Sequence, residues 1–238
     1  MKALLLLLPL PLAALSAPPD MAATKAALRS AARSADRGFS RAAGAQQLKS
    51  DVQRWTRLLE DSDAGDSRPT ASPSLLGRWT LEFTDASDVL SLAVLPPGIF
   101  CEIGEIVQEI APGDSDGSFE ASNIVVLSPR GAEFLASLPL RPGGTLGPRL
   151  TGLFAVDAAC TVLDDRRLQL VFVGGRAQPL VAPVELPALS GRAPDPIVSG
   201  LQQLVGERIY LETTYLDDDL RVARGPGQEL YILSKTYK

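Results

Sequence analysis

Three consecutive aspartates, Asp217, Asp218 and Asp219, form the densest group of side chains that could do chemistry in this chain. A calcium loop spreads six or more oxygens along its length, usually with a glycine for the turn and a distal bidentate Glu. Consecutive aspartates in a strand point instead to opposite faces. Nothing else in the chain completes a pair of carboxylates for acid–base catalysis. We therefore predict no metal site here, and interpret the aspartates as turn formers that pair with Arg221 and Arg224.

Histidine is absent from all 238 residues. Its absence excludes Ser-His-Asp and Cys-His nucleophile systems and histidine-ligated metal or haem sites. The two cysteines, Cys101 and Cys160, are too few for a zinc cluster of thiolates, and both fall on predicted strands. Buried reduced thiols are the favoured interpretation, and a disulfide between them stays open. The sequence therefore predicts a protein that is not an enzyme and needs no cofactor.

The net charge and the length of the chain limit its function and its number of domains. The net charge of −5 and the isoelectric point near 4.9 argue against a nucleic-acid partner, which would require a basic patch. A chain of 238 residues, once a presequence is removed, can bury one sizeable core. One domain over residues 46–238 is therefore the expected organisation.

The N-terminus has the pattern of a targeting signal. Lys2 precedes an apolar run over residues 3–15, and small residues follow, so residues 1–16 are predicted to be a signal peptide rather than a membrane anchor. Residues 17–45 are rich in Ala and poor in acids, like a transit peptide, with basic side chains at a spacing of four: Lys25, Arg29, Arg33, Arg37 and Arg41. A signal followed by a transit-like segment is the bipartite arrangement used to reach plastids with extra membranes. The alternative is secretion, with the basic stretch as the solvated face of the first helix.

The body of the chain alternates with the period of strands. Residues 46–61 form an amphipathic helix, and about eight alternating segments follow without βαβ alternation. A phase shift at Gly104 predicts a bulge. Closure would remove the sheet edges, so the fold class is mainly β, a lipocalin-like antiparallel β-barrel with an N-terminal amphipathic helix. The residues expected to line a cavity are Trp79, Phe83, Ile103, Phe154, Val156, Phe172 and Tyr210.

The C-terminal meander carries a resemblance to a known family. The run "YLDDDLRVARG" is similar to the C-terminal motif of the plastid lipid-associated proteins, also called plastid fibrillins. Upstream, Arg37-Gly38, Leu59-Glu60 and Gly77-x-Trp79 also match that family's pattern, while the middle third matches poorly. The motif residues here are Tyr215, Leu216, Asp217, Asp219, Leu220, Arg221, Arg224 and Gly225, with Lys235 after the last strand.

Gly77-x-Trp79 also resembles the tripeptide with which lipocalins close the barrel floor. In lipocalins an arginine from the last strands packs over the indole. Arg221 and Arg224 are the two candidates for that cation–π contact, which contributes about 1–2 kcal/mol when desolvated.

The family resemblance implies a function without catalysis. The expected ligand is a hydrophobic plastid molecule (a carotenoid, a quinone, another isoprenoid or a fatty acid) bound at thylakoids or at plastid lipid droplets (plastoglobules). The alternative is a structural or assembly factor that coats lipid bodies or stabilises pigment–protein complexes through its surface, with the proline-rich residues 179–191 as the candidate surface. In that case the inner side chains would simply fill the barrel.

Overall fold

Eight antiparallel strands close into a barrel in the order in which they occur in the chain. The structure, a computed structural model, describes residues 20–92, 101–129, 151–180 and 209–237. Pairing of the first strand with the last closes the barrel, with Trp79 opposite Lys235 and Leu81 opposite Leu233. The predicted fold class is therefore confirmed. The strands are β1 (Gly77–Thr84), β2 (Cys101–Pro112), β3 (Ser118–Pro129), β4 (Thr151–Val162), β5 (Arg167–Leu180), β6 (Ile209–Leu216), β7 (Leu220–Arg224) and β8 (Leu230–Thr236).

Two helices pack together against one side of the barrel. They are α1 (Met21–Ser34), whose first turn is capped by the Asp20 carboxylate, and α2 (Ala45–Glu60), which matches the predicted helix. A short α3 (Ser87–Ser91) follows β1. The apolar stripes of α1 and α2 are buried against the outer faces of β1, β6, β7 and β8. This outer cluster contains Leu28, Ala32, Ala35, Val52, Leu59, Phe83, Tyr215, Leu220, Val222, Leu230 and Ile232.

A second apolar cluster lies inside the barrel. Successive side chains of a strand point to opposite faces, so each strand contributes every second residue to the interior. The interior cluster contains Leu75, Trp79, Leu81, Ile110, Ala121, Ala158, Cys160, Leu168, Leu170, Leu216 and Leu233. Phe172, Ile209 and Leu211 are partly buried against it.

Three of the four register shifts in the described strands concern predicted wall or motif residues. The shift between Ile103 and Ile106 is the bulge that the sequence predicts at Gly104. A second shift, between Leu81 and Phe83, brings Phe83 into the outer cluster although it shares the alternation of Trp79. The third, between Thr213 and Tyr215 on β6, likewise places Tyr215 against the helices.

The two ends of the barrel differ. A 3-10 turn over Pro73–Leu75 and the short β2–β3, β4–β5 and β6–β7 connections lie at one end, called here the floor. The connections from β1 to β2, from β3 to β4 and from β5 to β6 leave from the opposite end, and they fall mainly outside the described residues. So do the predicted signal peptide and most of the proline-rich stretch. Within the described ranges, no helix is both long and apolar enough to cross a bilayer.

The strand registers separate the two cysteines. Cys101 pairs with Pro129 and Cys160 pairs with Phe119, at the two ends of β3. Ten residues of strand at about 3.3 Å each correspond to roughly 30 Å. A disulfide requires Cα atoms less than about 7 Å apart. Cys160 is accordingly a free, buried thiol.

Candidate functional site: the barrel floor

Trp79 is the centre of the floor. Its side chain is fully buried, and its Nε1 donates to the carbonyl of Leu75 at 2.9 Å. Gly77, two residues earlier, has a φ of 117°, a conformation that favours glycine. A Cβ at Gly77 would lie 3.3 Å from Cε of Lys235, whose Nζ donates to the carbonyl of Ser74 at 2.7 Å. The Gly-x-Trp tripeptide therefore lets the chain enter β1 beneath the Lys235 side chain.

Arg221 provides the cation–π contact expected at this floor. Its guanidinium carbon lies 5.2 Å from the centre of the Trp79 ring, and the residue is 1% exposed. Its Nη2 donates to Oε1 of Gln108, while its Nε is buried without a hydrogen-bond partner. The other candidate, Arg224, lies outside the barrel and pairs with Glu60 at 2.8 Å.

The floor concentrates positive charge in an apolar setting. Burial lowers the pKa of Arg221 to about 9. Nζ of Lys235 also lies over the Trp79 ring, 5.0 Å from its centre, and burial together with the charge of Arg221 lowers the pKa of this lysine. Burial raises the pKa of the Cys160 thiol to about 11, so at neutral pH it carries no compensating charge.

A small cavity adjoins Arg221. Its volume is about 10 Å³, which is room for about one water-sized group. The floor is therefore packed, and a lipid-sized guest must lie above this layer or displace side chains that fill it. The cavity is lined by Gln108, Ile110, Ala121, Cys160, Leu168, Leu170, Leu211, Thr213 and Arg221.

The structure brings only part of the predicted cavity wall together. Trp79 and Phe172 belong to the interior cluster, and Val156 pairs with Asn123 on the same alternation as Ala158 and Cys160. Phe154 lies in β4, but its side chain lies outside the described part of the structure.

Two of the predicted wall residues lie outside the barrel. The shift in β1 turns Phe83 toward the helices. Tyr210 alternates with the inward Ile209 and Leu211, and its ring instead receives the guanidinium of Arg167 at 5.9 Å. These positions correct the expectation that Phe83 and Tyr210 line the interior.

Arg37 has a role that the sequence pattern did not indicate. β1 pairs with β2 only as far as Thr80, and above that point the strands separate. Arg37 lies between them and donates to the carbonyl of Ile103 at 3.0 Å and to that of Gly104. A surface groove of about 460 Å³ runs along this separation, so the predicted wall residue Ile103 borders that groove. Its other lining residues are Arg33, Asp36, Arg37, Thr80, Leu81, Glu82, Gly104 and Glu105.

The acidic turn between β6 and β7 binds α1. Oδ1 of Asp217 accepts from the backbone N–H groups of Asp219 and Leu220, as expected of a turn former. The predicted pairing of these aspartates with Arg221 and Arg224 is wrong. Asp217 instead pairs with Lys25 at 2.8 Å, and Asp219 pairs with Lys25 and, at 3.0 Å, with Arg29.

This network shifts the acidity of Asp219. Partial burial acts to raise the pKa of the Asp219 carboxyl, but the hydrogen bonds donated by Lys25 and Arg29 outweigh it and hold that pKa well below its usual range. The next turn, between β7 and β8, begins at Gly225, whose N–H donates to the carbonyl of Glu229 at 2.9 Å.

Comparisons with known proteins cover most of the chain. The PAP_fibrillin family model matches residues 22–234. Plastoglobulin-1, chloroplastic, of Pisum sativum is 26% identical over 220 residues, which cover 79% of this chain and 55% of that protein. The chain thus spans little more than half the length of this relative. No solved structure matches. Because the family match extends from α1 to β8, the chain belongs to the PAP_fibrillin family, the plastid lipid-associated proteins or plastid fibrillins.

Proposed function

We propose that this protein is a non-enzymatic lipid-binding protein of plastids, which holds a hydrophobic molecule in its barrel at a thylakoid membrane or a plastid lipid droplet. The observation that carries the proposal is the closed eight-stranded barrel with an apolar interior cluster. Closed barrels of about this size hold one small ligand in several soluble families. A few polar groups among apolar walls, here Gln108, Thr213 and Arg221, are typical of ligand pockets.

The chemistry of the interior supports binding rather than catalysis. The chain has no histidine to act as a base. Burial raises the pKa of Cys160 to about 11, which keeps the thiol protonated and a poor nucleophile at neutral pH. In the described part of the barrel, the polar groups nearest the cavity are therefore suited to positioning a guest.

The plastid location rests on the family and on a named relative. The matched relative is called chloroplastic and a plastoglobulin. The apolar run and basic stretch at the N-terminus fit a bipartite route into a plastid.

Ligand capture in the native setting tests the proposal. The protein would be isolated under native conditions from the source organism, and the small molecules that co-purify would be identified by mass spectrometry. We expect about one hydrophobic molecule per chain, released when the protein is unfolded. Recovery of the folded protein without any such molecule, from both membrane and lipid-droplet fractions, would contradict the proposal.

A second function is favoured by the packed floor and by the outer face of the barrel. Val171 and Val173 of β5 are 44% and 46% exposed, and Leu163 in the adjoining turn is 52% exposed. Exposed apolar side chains on one side of a sheet are suited to contact with a lipid surface. The protein would then coat lipid bodies as a structural factor.

Flotation with lipid emulsions separates the two functions. Val171→Ser with Leu163→Ser should abolish flotation if the outer face coats lipid, while Gln53→Ser, at an exposed position of α2, serves as a surface control. If the barrel interior alone binds lipid, both variants should float and retain ligand as the wild type does.

A further inference from the structure

The least expected feature of the interior is an uncompensated charge. Arg221 is enclosed by the barrel, with an exposure of 1%, and its Nε lacks a hydrogen-bond partner. Within the part of the chain that the structure describes, no carboxylate pairs with it, and burial is the main influence on its protonation. A buried charge ordinarily has a partner, because removing an ion from water is costly.

The neighbours of Arg221 increase this deficit of negative charge. Cys160 is neutral at neutral pH because burial raises its pKa. Lys235 adds a second cation at the same indole ring, 5.0 Å from its centre. The acid whose charge acts on the pKa of Lys235 is Asp218, which is exposed and accepts from the hydroxyl of Ser74. An anion that reached Arg221 would thus meet a cation without a counter-ion in a setting of low polarity.

Gln108 holds the guanidinium in place and leaves part of it available. Its Nε2 donates to Oδ1 of Asn123 at 2.8 Å, which directs its Oε1 toward Nη2 of Arg221. Nη2 of the guanidinium is thereby partnered, while Nε remains a donor without a partner. A carboxylate is the planar anion that a guanidinium binds best.

The apolar side chains around the cavity favour an anion that is the head group of an apolar molecule. Most of the groups around the cavity are aliphatic, among them Ile110, Leu168, Leu170 and Leu211. A phosphate dianion would require more donors than this floor supplies. A neutral isoprenoid would leave the charge uncompensated. The cavity of about 10 Å³ fits part of a small head, so an attached chain must displace interior leucines as it runs away from the floor.

We propose that Arg221 binds the carboxylate of a single-chain fatty acid, which enters the barrel head-first with its hydrocarbon chain directed away from the floor. This inference rests on the proposed function, because it names the ligand class of the same barrel. It adds a specificity that an apolar container alone would lack, namely preference for an ionised head over a neutral one.

Quenching of Trp79 fluorescence measures this preference directly. Trp55→Phe leaves Trp79 as the only tryptophan, since the chain has two. The probes are dibromostearic acid and its methyl ester, which share the chain and differ only in the charge of the head. We expect the acid to bind about tenfold or more tightly than the ester, and to quench Trp79. With Arg221→Met added, the acid should lose this advantage and bind about as the ester does.

Each outcome decides between the two proposals. If Trp55→Phe binds acid and ester equally, the carboxylate site is overturned, and the proposal that the barrel binds a lipid stands. If neither probe binds, the proposal that the barrel binds a lipid is overturned as well. A preference for the acid that survives Arg221→Met would remove Arg221 from the site, and Lys235→Met would then show whether the lysine is responsible.

Two further variants guard against trivial results. Arg78→Gln removes a cation next to Trp79 but on the outer face, where Arg78 pairs with Glu109 at 2.7 Å, so the preference for the acid should persist. Arg221→Lys retains the charge and should keep part of the preference. If Arg221→Met does not fold, comparison of acid and ester on Trp55→Phe still decides the inference, because equal affinity overturns it.

Discussion

The guanidinium carbon of Arg221 lies 5.2 Å from the centre of the Trp79 ring, with both side chains enclosed in the barrel. Two effects on stability oppose each other in this pair. The cation–π contact is favourable by about 1–2 kcal/mol. Burying a charge without a counter-ion costs several kcal/mol. The volume of the arginine also matters, since it is among the largest fully buried side chains.

Substitutions at Arg221 separate volume from charge. Arg221→Ala leaves a void beside Trp79 and should lower the free energy of unfolding by about 2 kcal/mol or more. Arg221→Met keeps most of the volume and removes the buried charge, so it should be at least as stable as the wild type. Urea unfolding followed by tryptophan fluorescence gives both values. If methionine destabilises as much as alanine, the charge itself stabilises the floor.

The contact between Asp219 and α1 should make stability depend on pH. The pKa of Asp219 is lowered in the folded protein, so the unfolded chain binds its proton first as the pH falls. The stabilisation is therefore complete above about pH 4 and is lost as the pH falls through the lower, folded-state pKa. At pH 7, Asp219→Asn should cost about 1 kcal/mol, because the carboxylate is partly exposed.

Thermal unfolding of Asp219→Asn across a pH series checks this expectation. The difference from the wild type should shrink below pH 4. Asp116→Asn, in the exposed β2–β3 turn, is the matched control and should show little difference at any pH. A deficit of Asp219→Asn that stayed constant down to pH 2 would mean that the ion pairs are not its cause.

Gly38 is fixed by its close approach to β1. A Cβ there would lie 1.9 Å from the carbonyl oxygen of Thr84, and its φ is 98°. Gly44 has a similar φ of 90° but nothing within 4 Å of a Cβ, so it controls for backbone strain alone. We expect Gly44→Ala to cost about 1 kcal/mol and Gly38→Ala at least about 2 kcal/mol more. Similar losses in chemical denaturation would contradict a steric role.

Local patterns predicted much of this architecture. Alternation identified the strands and the helix before them, because burial on one face imposes a period of two on a strand and 3.6 on a helix. The phase shift at Gly104 is observed as a bulge. The resemblance of Gly77-x-Trp79 to the lipocalin tripeptide implied a contact with Arg221 or Arg224, and Arg221 makes it.

Side-chain partners distant in sequence could not be predicted in this way. Asp219 was expected to pair with nearby arginines, yet its partners Lys25 and Arg29 are about 190 residues away. Phe83 appeared to share a face with Trp79, but a register shift set by pairing with β8 reverses it. Unlike the shift at Gly104, this one is marked by no glycine and no change of phase in β1, because it arises from the fit between neighbouring strands.

The segment predicted as transit-like, residues 17–45, includes α1 of the folded domain. Leu28 and Ala32 of α1 are fully buried, and Lys25 and Arg29 bind the β6–β7 turn. Removing α1 would expose its partners on the barrel and on α2. A chain beginning at Ala45 should therefore lose about 3 kcal/mol or more of stability relative to one beginning at Asp20.

Processing in the plastid should reflect that cost. We expect N-terminal sequencing of the protein isolated from plastids to place the mature end at or before Asp20, so that α1 is retained. Denaturation of the two shortened chains supplies the matching physical measurement. A mature end beyond Ser34, with undiminished stability of the chain beginning at Ala45, would contradict this expectation. It would show that α1 serves only as a targeting signal and that the barrel folds without it.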